Sequence, residues 1–209
     1  MTTPPGLRER KKQATREALR EAALRLAVER GPDRVRVEDI AEAAGVSPRT
    51  YNNYFASREQ AIVAAVTADR EARVAACVAA RPADVRLADA VTDAVVEQYT
   101  DPGAHGQEAL LLVTTRPALR DAYLDATASI EPPLTTALAA RLDDTSAPAA
   151  RVLAASTAAA VRIALEGWIR PTGDPGGLVV PAGSLSDRLR AALAPLAPAF
   201  DAAEGRARP

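Results

Sequence analysis

The chain interrupts its own helices at four marked points between residues 31 and 60, and these interruptions constrain the fold more than any other feature. Gly31-Pro32 stops a stretch over 14–30 in which Leu19, Ala22, Ala23 and Leu26 recur at helical spacing. A second, short helix is predicted from Val37 to Ala44, with Ile40, Ala41 and Ala44 on one side. Gly45 then supplies a turn residue that tolerates positive φ. Ser47-Pro48 is a helix start, a hydroxyl cap followed by proline at the first helical position, where its missing N–H costs nothing. The third helix therefore spans Pro48 to about Phe55. Ser57-x-x-Gln60 has the form of a capping box and opens a fourth helix that can run to about Ala80, before Arg81-Pro82. Two short helices joined by a three-residue turn containing glycine make a helix-turn-helix pattern.

The rest of the chain also reads as helical. The protein has 209 residues, 48% of them hydrophobic but only 3% aromatic, so its core is built from Ala, Leu and Val. Such residues lose little rotamer freedom in helices, and no stretch alternates apolar and polar residues as a half-buried strand would. The fold class is all-α, with about nine helices. Beyond the first four, helices are expected at 84–100, 105–115, 117–142, 147–170 and 184–197. Pro132-Pro133 must kink or split the third of these, because an interior proline removes a hydrogen bond and clashes with the preceding turn. The Gly- and Pro-rich run 171–183 is a loop, and 201–209 is expected to be a disordered tail. The expected domains are 1–58 with a basic N-terminal arm, then a larger helical body over 59–200.

Charge is unevenly distributed. Residues 1–60 hold 12 Lys/Arg against 9 Asp/Glu, whereas 61–209 hold 14 against 18. Within 7–20, six basic residues face two acidic ones, which suggests an anionic partner for the first segment. The single cysteine, Cys77, forms no intrachain disulfide and is read as a small buried hydrophobe on the fourth helix. The charged N-terminus argues against a signal peptide, and the longest stretch free of charge, 175–186, is shorter than the ~18 apolar residues a membrane span needs. A cytoplasmic location is expected. No nucleophile motif, phosphate loop or metal-spaced cluster is present, and the only histidine, His105, sits alone in a loop. Neither catalysis nor a cofactor nor a metal is expected.

The third helix carries the informative chemistry. Tyr51 and Phe55 are i,i+4 partners on one face, placed to pack on Ile40 and the first helix. Arg49, Thr50, Asn52 and Asn53 project from the other side or its edges. These side chains suit base edges: Arg bidentate to guanine, Asn bidentate to adenine, Thr against a thymine methyl. Tyr54 and Arg58, at the helix end, suit phosphate contacts.

The segment 14–62, "ATREALREAALRLAVERGPDRVRVEDIAEAAGVSPRTYNNYFASREQAI", resembles the DNA-binding domain of the TetR family of transcriptional regulators. The matching features are the first helix ending in "ERG", the "VEDIAEAAGVS" helix and turn, and the "YF-x-S-[KR]-E" exit. The wording "VSPRT…NYF" and "RPALRDAYL…LAARL" looks most like an actinobacterial subgroup that includes the mycofactocin-associated regulators. The resemblance implies a ligand-responsive regulator, a repressor that binds a palindromic operator as a homodimer. An activator or ligand-independent regulator of the same fold is the nearest alternative. A small-molecule-binding or catalytic helical protein without DNA binding is the alternative from another class. The resemblance puts Arg49, Thr50, Asn52 and Asn53 on bases or adjacent backbone, and Tyr54 and Arg58 on phosphates. Ser47 and Pro48 set the helix start near the backbone, and segment 8–12 would be an arm over the minor groove or backbone. Relatives often carry Thr at the position of Arg36, which cannot cap but could reach a phosphate. Many also carry an aromatic at the position of Asn52, so their operator preference does not transfer. The body is implied to dimerise through 147–170 (Leu153, Thr157, Ala160, Val161, Ala164, Trp168) and 184–197 (Leu185, Leu189, Ala192, Leu193, Leu196). It is also implied to hold a hydrophobic, acyl-CoA-like effector near Tyr99, Leu112, Arg116, Tyr123, Thr127 and Trp168.

Overall fold

A computed structural model of the chain describes residues 6–67, 70–101, 116–143, 148–169 and 183–207. All regular structure among them is helical, in agreement with the expected fold class. The described residues divide into two compact units: those within Met1–Thr67 and Glu108–Tyr123, and those within Ala68–Gln107 and Leu124–Pro209. The expected boundary at residue 58 therefore moves. The start of the fourth helix belongs with the first unit, and so does the distant segment 116–123.

In the first unit, α1 (Leu7–Arg30) begins well before the apolar stripe, so the basic residues 8–12 are helical. Gly31, at φ 80°, ends α1, and a 3-10 turn over Pro32–Arg34 leads to α2 (Val37–Ala43). Gly45 adopts φ 69°, and its N–H donates to Glu42 O at 3.0 Å while Val46 N–H donates to Ala41 O at 2.9 Å. This 6→1 and 5→2 pair is the closure that a left-handed glycine after a helix permits. α3 (Pro48–Tyr51) and α4 (Arg58–Thr67) complete the unit's first four helices. α1 packs on α2 and α4, and α2 on α3. Leu19, Ala22, Ala23, Leu26, Ile40, Ala41, Tyr51 and Phe55 are all buried, as the spacing implied.

The second unit contains α5 (Arg70–Ala80), α6 (Leu87–Thr100), α8 (Glu131–Arg141), α9 (Pro148–Trp168), α10 (Leu185–Leu193) and α11 (Ala197–Ala207). α7 (Pro117–Asp125) lies between α6 and α8 in the chain. Residues 68–69, the 105–115 helix with His105 and Leu112, and the loop up to residue 182 lie outside the described residues. The expected helix 117–142 is split upstream of its prolines, by a 3-10 stretch over Ala126–Ile130. Pro132 and Pro133 then fall in the first turn of α8, where no intrahelical N–H donor is needed.

Three further expectations are revised. Residues 201–207 are not disordered: they end α11, with Phe200 and Ala203 buried, Arg86 Nη2 2.7 Å from Asp201 Oδ2, and Leu87 N–H donating to Glu204 at 3.2 Å. Cys77 is half-buried instead of buried, its Sγ accepting from Gln98 Nε2 at 3.6 Å. Most of the stripe on α9 assigned to a dimer contact faces inward. Leu153, Thr157, Ala160, Val161 and Ala164 are buried within the unit, where α9 packs on α8 and α10. Thr157 donates to Leu153 O at 2.8 Å, which satisfies its hydroxyl without a partner chain. Leu189 and Leu193 of α10 are likewise buried. α9 is long and apolar enough to cross a membrane, but half of its apolar window is buried inside the protein.

One guanidinium organises the turn between α5 and α6. Arg141, the last residue of α8, donates from Nη1 to Arg81 O at 3.1 Å and Val78 O at 3.3 Å, and from Nη2 to Val85 O at 3.0 Å. These carbonyls end α5 and line its exit, where helical partners run out. Arg141→Met keeps the aliphatic stem but strands the carbonyls. It should lower stability by about 2–3 kcal/mol, or Tm by roughly 4–12 °C, in thermal denaturation followed by circular dichroism. An unchanged Tm would show that water replaces the guanidinium without cost.

Candidate nucleic-acid interface

The interface is built on a very short helix. Ser47, in extended conformation, accepts from Thr50 N–H at 3.1 Å, and Pro48 occupies the first helical position. Helical geometry ends at Tyr51, earlier than the expected Phe55. Asn52 is the C-terminal cap (φ −61°, ψ −14°), and Asn53 and Tyr54 follow in a turn whose N–H groups donate to Thr50 O and Tyr51 O at 3.1 and 2.8 Å. The physical reason is local. Asparagine competes with helix formation through its own short amide, so two in succession favour a cap and a turn.

Two buried aromatics hold this segment. Tyr51 is 0% exposed, its hydroxyl donates to Ser57 O at 2.8 Å, and its ring lies 5.8 Å from that of Phe55. Burial, and secondarily the nearby Glu59 carboxylate, push the Tyr51 phenol far above its ordinary pKa, so it remains a protonated donor. On the α1 side, the Arg16 guanidinium sits 5.1 Å from the Phe55 ring centroid. Past the aromatics, Gln60 N–H donates to Ser57 Oγ at 3.1 Å, and Gln60 Oε1 accepts from Ala56 N–H at 2.7 Å. This is the expected capping box with its return bond one residue earlier.

With Tyr51 and Phe55 inward, Pro48, Arg49, Asn52 and Asn53 are exposed, and Thr50 and Tyr54 are half-exposed. No hydrogen bond or ion pair engages the side chains of Arg49, Asn52 or Asn53 among the described residues. Thr50 is more committed, its Oγ1 lying 2.9 Å from Ser47 Oγ within the cap. Arg36 is exposed at the N-cap of α2, and its backbone N–H donates to Asp39 Oδ2 at 2.9 Å. A guanidinium has no acceptor, so only this half of the reciprocal cap exists.

Arg58, expected at a phosphate, is also engaged within the protein. Its Nη1 donates to Val35 O at 2.8 Å and Asp33 O at 3.1 Å, and its Nε donates to Glu59 Oε1 at 2.7 Å. Burial raises the Glu59 pKa, but the Arg58 bond and charge outweigh it and hold the carboxyl below its ordinary value. Arg58 thus clamps the turn that leads into α2. Arg116 joins the same turn, its Nε 2.8 Å from Asp33 Oδ2. This pair joins residues 83 positions apart, and nothing in the sequence signalled it.

The expected effector residues are divided between the two units and the undescribed segment. Arg116 and Tyr123 belong to the first unit, and Leu112 lies outside the described residues. In the second unit, Tyr99 is buried with the Arg70 guanidinium 4.7 Å above its ring. Thr127 is buried and donates to Leu124 O at 2.7 Å, whereas Trp168 is half-exposed and donates to Gly183 O at 3.3 Å. Among the described residues no cluster of His, Cys, Asp and Glu has metal-binding geometry.

Comparison with known proteins agrees with this geometry. Residues 19–65 match the family model described as bacterial regulatory proteins, tetR family, a span that runs from the first buried leucine of α1 into α4. Over 203 residues, 90% of this chain and 88% of the relative, the sequence is 34% identical to the HTH-type transcriptional regulator TcmR of Streptomyces glaucescens. The chain belongs to the TetR family of transcriptional regulators.

Proposed function

We propose that this regulator is a repressor that binds a palindromic DNA operator as a homodimer and leaves it when a small-molecule effector binds. The observation that carries the reading is the division of the 48–55 segment. Its aromatics are locked inward, while Arg49, Asn52 and Asn53 stand exposed. Guanidinium and amide groups carried on a segment held by its buried aromatics match the donor and acceptor pattern of the major groove. Arg36 and Tyr54 border that face and suit phosphates. DNA as the partner places the protein in the cytoplasm and calls for no catalytic chemistry.

The dimer is assigned to 147–170 and 184–197, through the outer face of α9. Val152 and Ile163 are each 64% exposed, and Ala159 between them is also exposed. These positions recur at helical spacing opposite the buried stripe, and the small Ala159 permits close approach. A two-fold pair would repeat the recognition segment about one turn of DNA away, which requires a palindromic site. The effector site is assigned, from the family resemblance, to the region of Tyr99, Leu112, Arg116, Tyr123, Thr127 and Trp168. An effector releases DNA only if it favours one conformation over the other, whatever its affinity.

Operators recovered from random duplexes by the wild-type protein provide the test. Recovery of palindromes is expected, and Arg49→Ala or Asn52→Ala should lower operator affinity by ~1–3 kcal/mol per half-site while relaxing discrimination at one base position. Unchanged gel shifts at fixed salt would sink the assignment. Ile163→Asp should weaken self-association at least 100-fold, about 3 kcal/mol, because an unpaired carboxylate would be buried. Light scattering reads this directly, and a dimer that persists would place the interface elsewhere.

A further inference from the structure

We propose that Arg58 is a positioning residue for operator binding: from the start of α4 it fixes the entry to α2, in place of the side-chain cap that α2 lacks, and so holds Arg36 towards a phosphate. The proposal rests on the operator reading above, and of these two arginines it gives the phosphate to Arg36 alone.

α2 begins without a side-chain cap. It is seven residues long, and its N-cap is Arg36, whose guanidinium can accept nothing. The first N–H groups of the helix gain no acceptor from that side chain, and a helix this short cannot fix its own start. The bond that does form, Arg36 N–H to Asp39 Oδ2 at 2.9 Å, ties the cap to its own helix and not to the rest of the unit. Arg58 supplies the missing tie. Its Nη1 donates to Val35 O at 2.8 Å and to Asp33 O at 3.1 Å, the carbonyls one and three residues before Arg36. Val35 is itself buried, so packing and the guanidinium pin the same residue. Arg36 follows it directly, exposed and extended at φ −108° and ψ 159°.

Charge separates the two arginines. A cation strengthens DNA binding by neutralising a phosphate and releasing its counterion. Arg58 Nε lies 2.7 Å from Glu59 Oε1, so its charge is already met by the next residue. The side chains of this pair are only 33% and 21% exposed, which limits screening by solvent. A guanidinium so engaged brings little net charge to a phosphate, whereas its planar fork can serve two carbonyls and a carboxylate at once. The Arg36 side chain, by contrast, has no hydrogen bond or ion pair among the described residues, and its charge remains for a partner.

The test uses the full chain and a selected operator duplex, with the slope of log affinity against log salt read by fluorescence anisotropy between about 50 and 300 mM salt. Arg36→Gln should flatten the slope by about 1, the loss of one phosphate contact. Arg58→Gln and Arg58→Lys should each flatten it by a similar amount, and Arg36→Gln with Arg58→Gln by no more than the larger single effect. Effects of the two glutamine variants that add to about 2 would show two separate phosphate contacts. A wild-type slope in Arg58→Lys would show that charge alone is needed. Either result overturns the proposal. A second measurement needs no DNA. Arg58→Gln should lower Tm by roughly 3–10 °C, and by less than half as much in an Arg36→Thr background, where the hydroxyl supplies the cap that Arg36 cannot. An equal loss in both backgrounds would overturn the clamp. Non-additive slopes on a scrambled duplex, in a wild-type protein that shows no operator preference, would support the clamp and sink the operator reading.

Discussion

The burial of Tyr51 and Phe55 is the interaction on which the recognition surface depends. A helix of four residues cannot sustain itself, because nucleation costs more than a single turn of hydrogen bonds returns. Pro48–Tyr51 persists because its cap, its aromatic core contacts and the Tyr51–Ser57 bond all act within a dozen residues. With those rings inward, the facing of Arg49, Asn52 and Asn53 follows from helical and turn geometry alone. Even the asparagines fit this account. They lie at the cap and turn, where asparagine is a favoured residue, and not within the helix.

The turn before α2 is held with comparable care. Asp33 accepts Arg58 through its carbonyl and Arg116 through its carboxylate, and Arg58 also holds Val35. The carbonyl bonds have a partly buried guanidinium behind them. The Arg116–Asp33 pair is more exposed, and such pairs contribute little stability by themselves. Its significance is positional: residue 116 is brought to the start of the helix-turn-helix from more than eighty residues away.

In the second unit the same residue types serve two faces of α9. Leu153, Thr157 and Val161 are sealed inside, whereas Val152 and Ile163 stand in solvent. An alanine-rich helix can pack closely on both sides, so composition allowed either face to be the internal one. Arg141 shows a related economy, since one side chain satisfies carbonyls from the end of α5 to the start of α6.

Local chemistry was legible in the sequence wherever a residue acts on its immediate neighbours. Gly45 in the left-handed turn, Ser47-Pro48 at a helix start, Ser57 and Gln60 in a cap, and the Tyr51/Phe55 pair are all consequences of short-range sterics and hydrogen bonding. The family followed from the same punctuation. Tertiary structure alone decided which face of α9 is internal, that Arg58 is occupied with Asp33 and Val35, that Arg116 belongs with the first unit, and that α11 continues to Ala207. Each depends on partners distant in the chain. Helical periodicity says which residues share a face, but only packing says what that face meets.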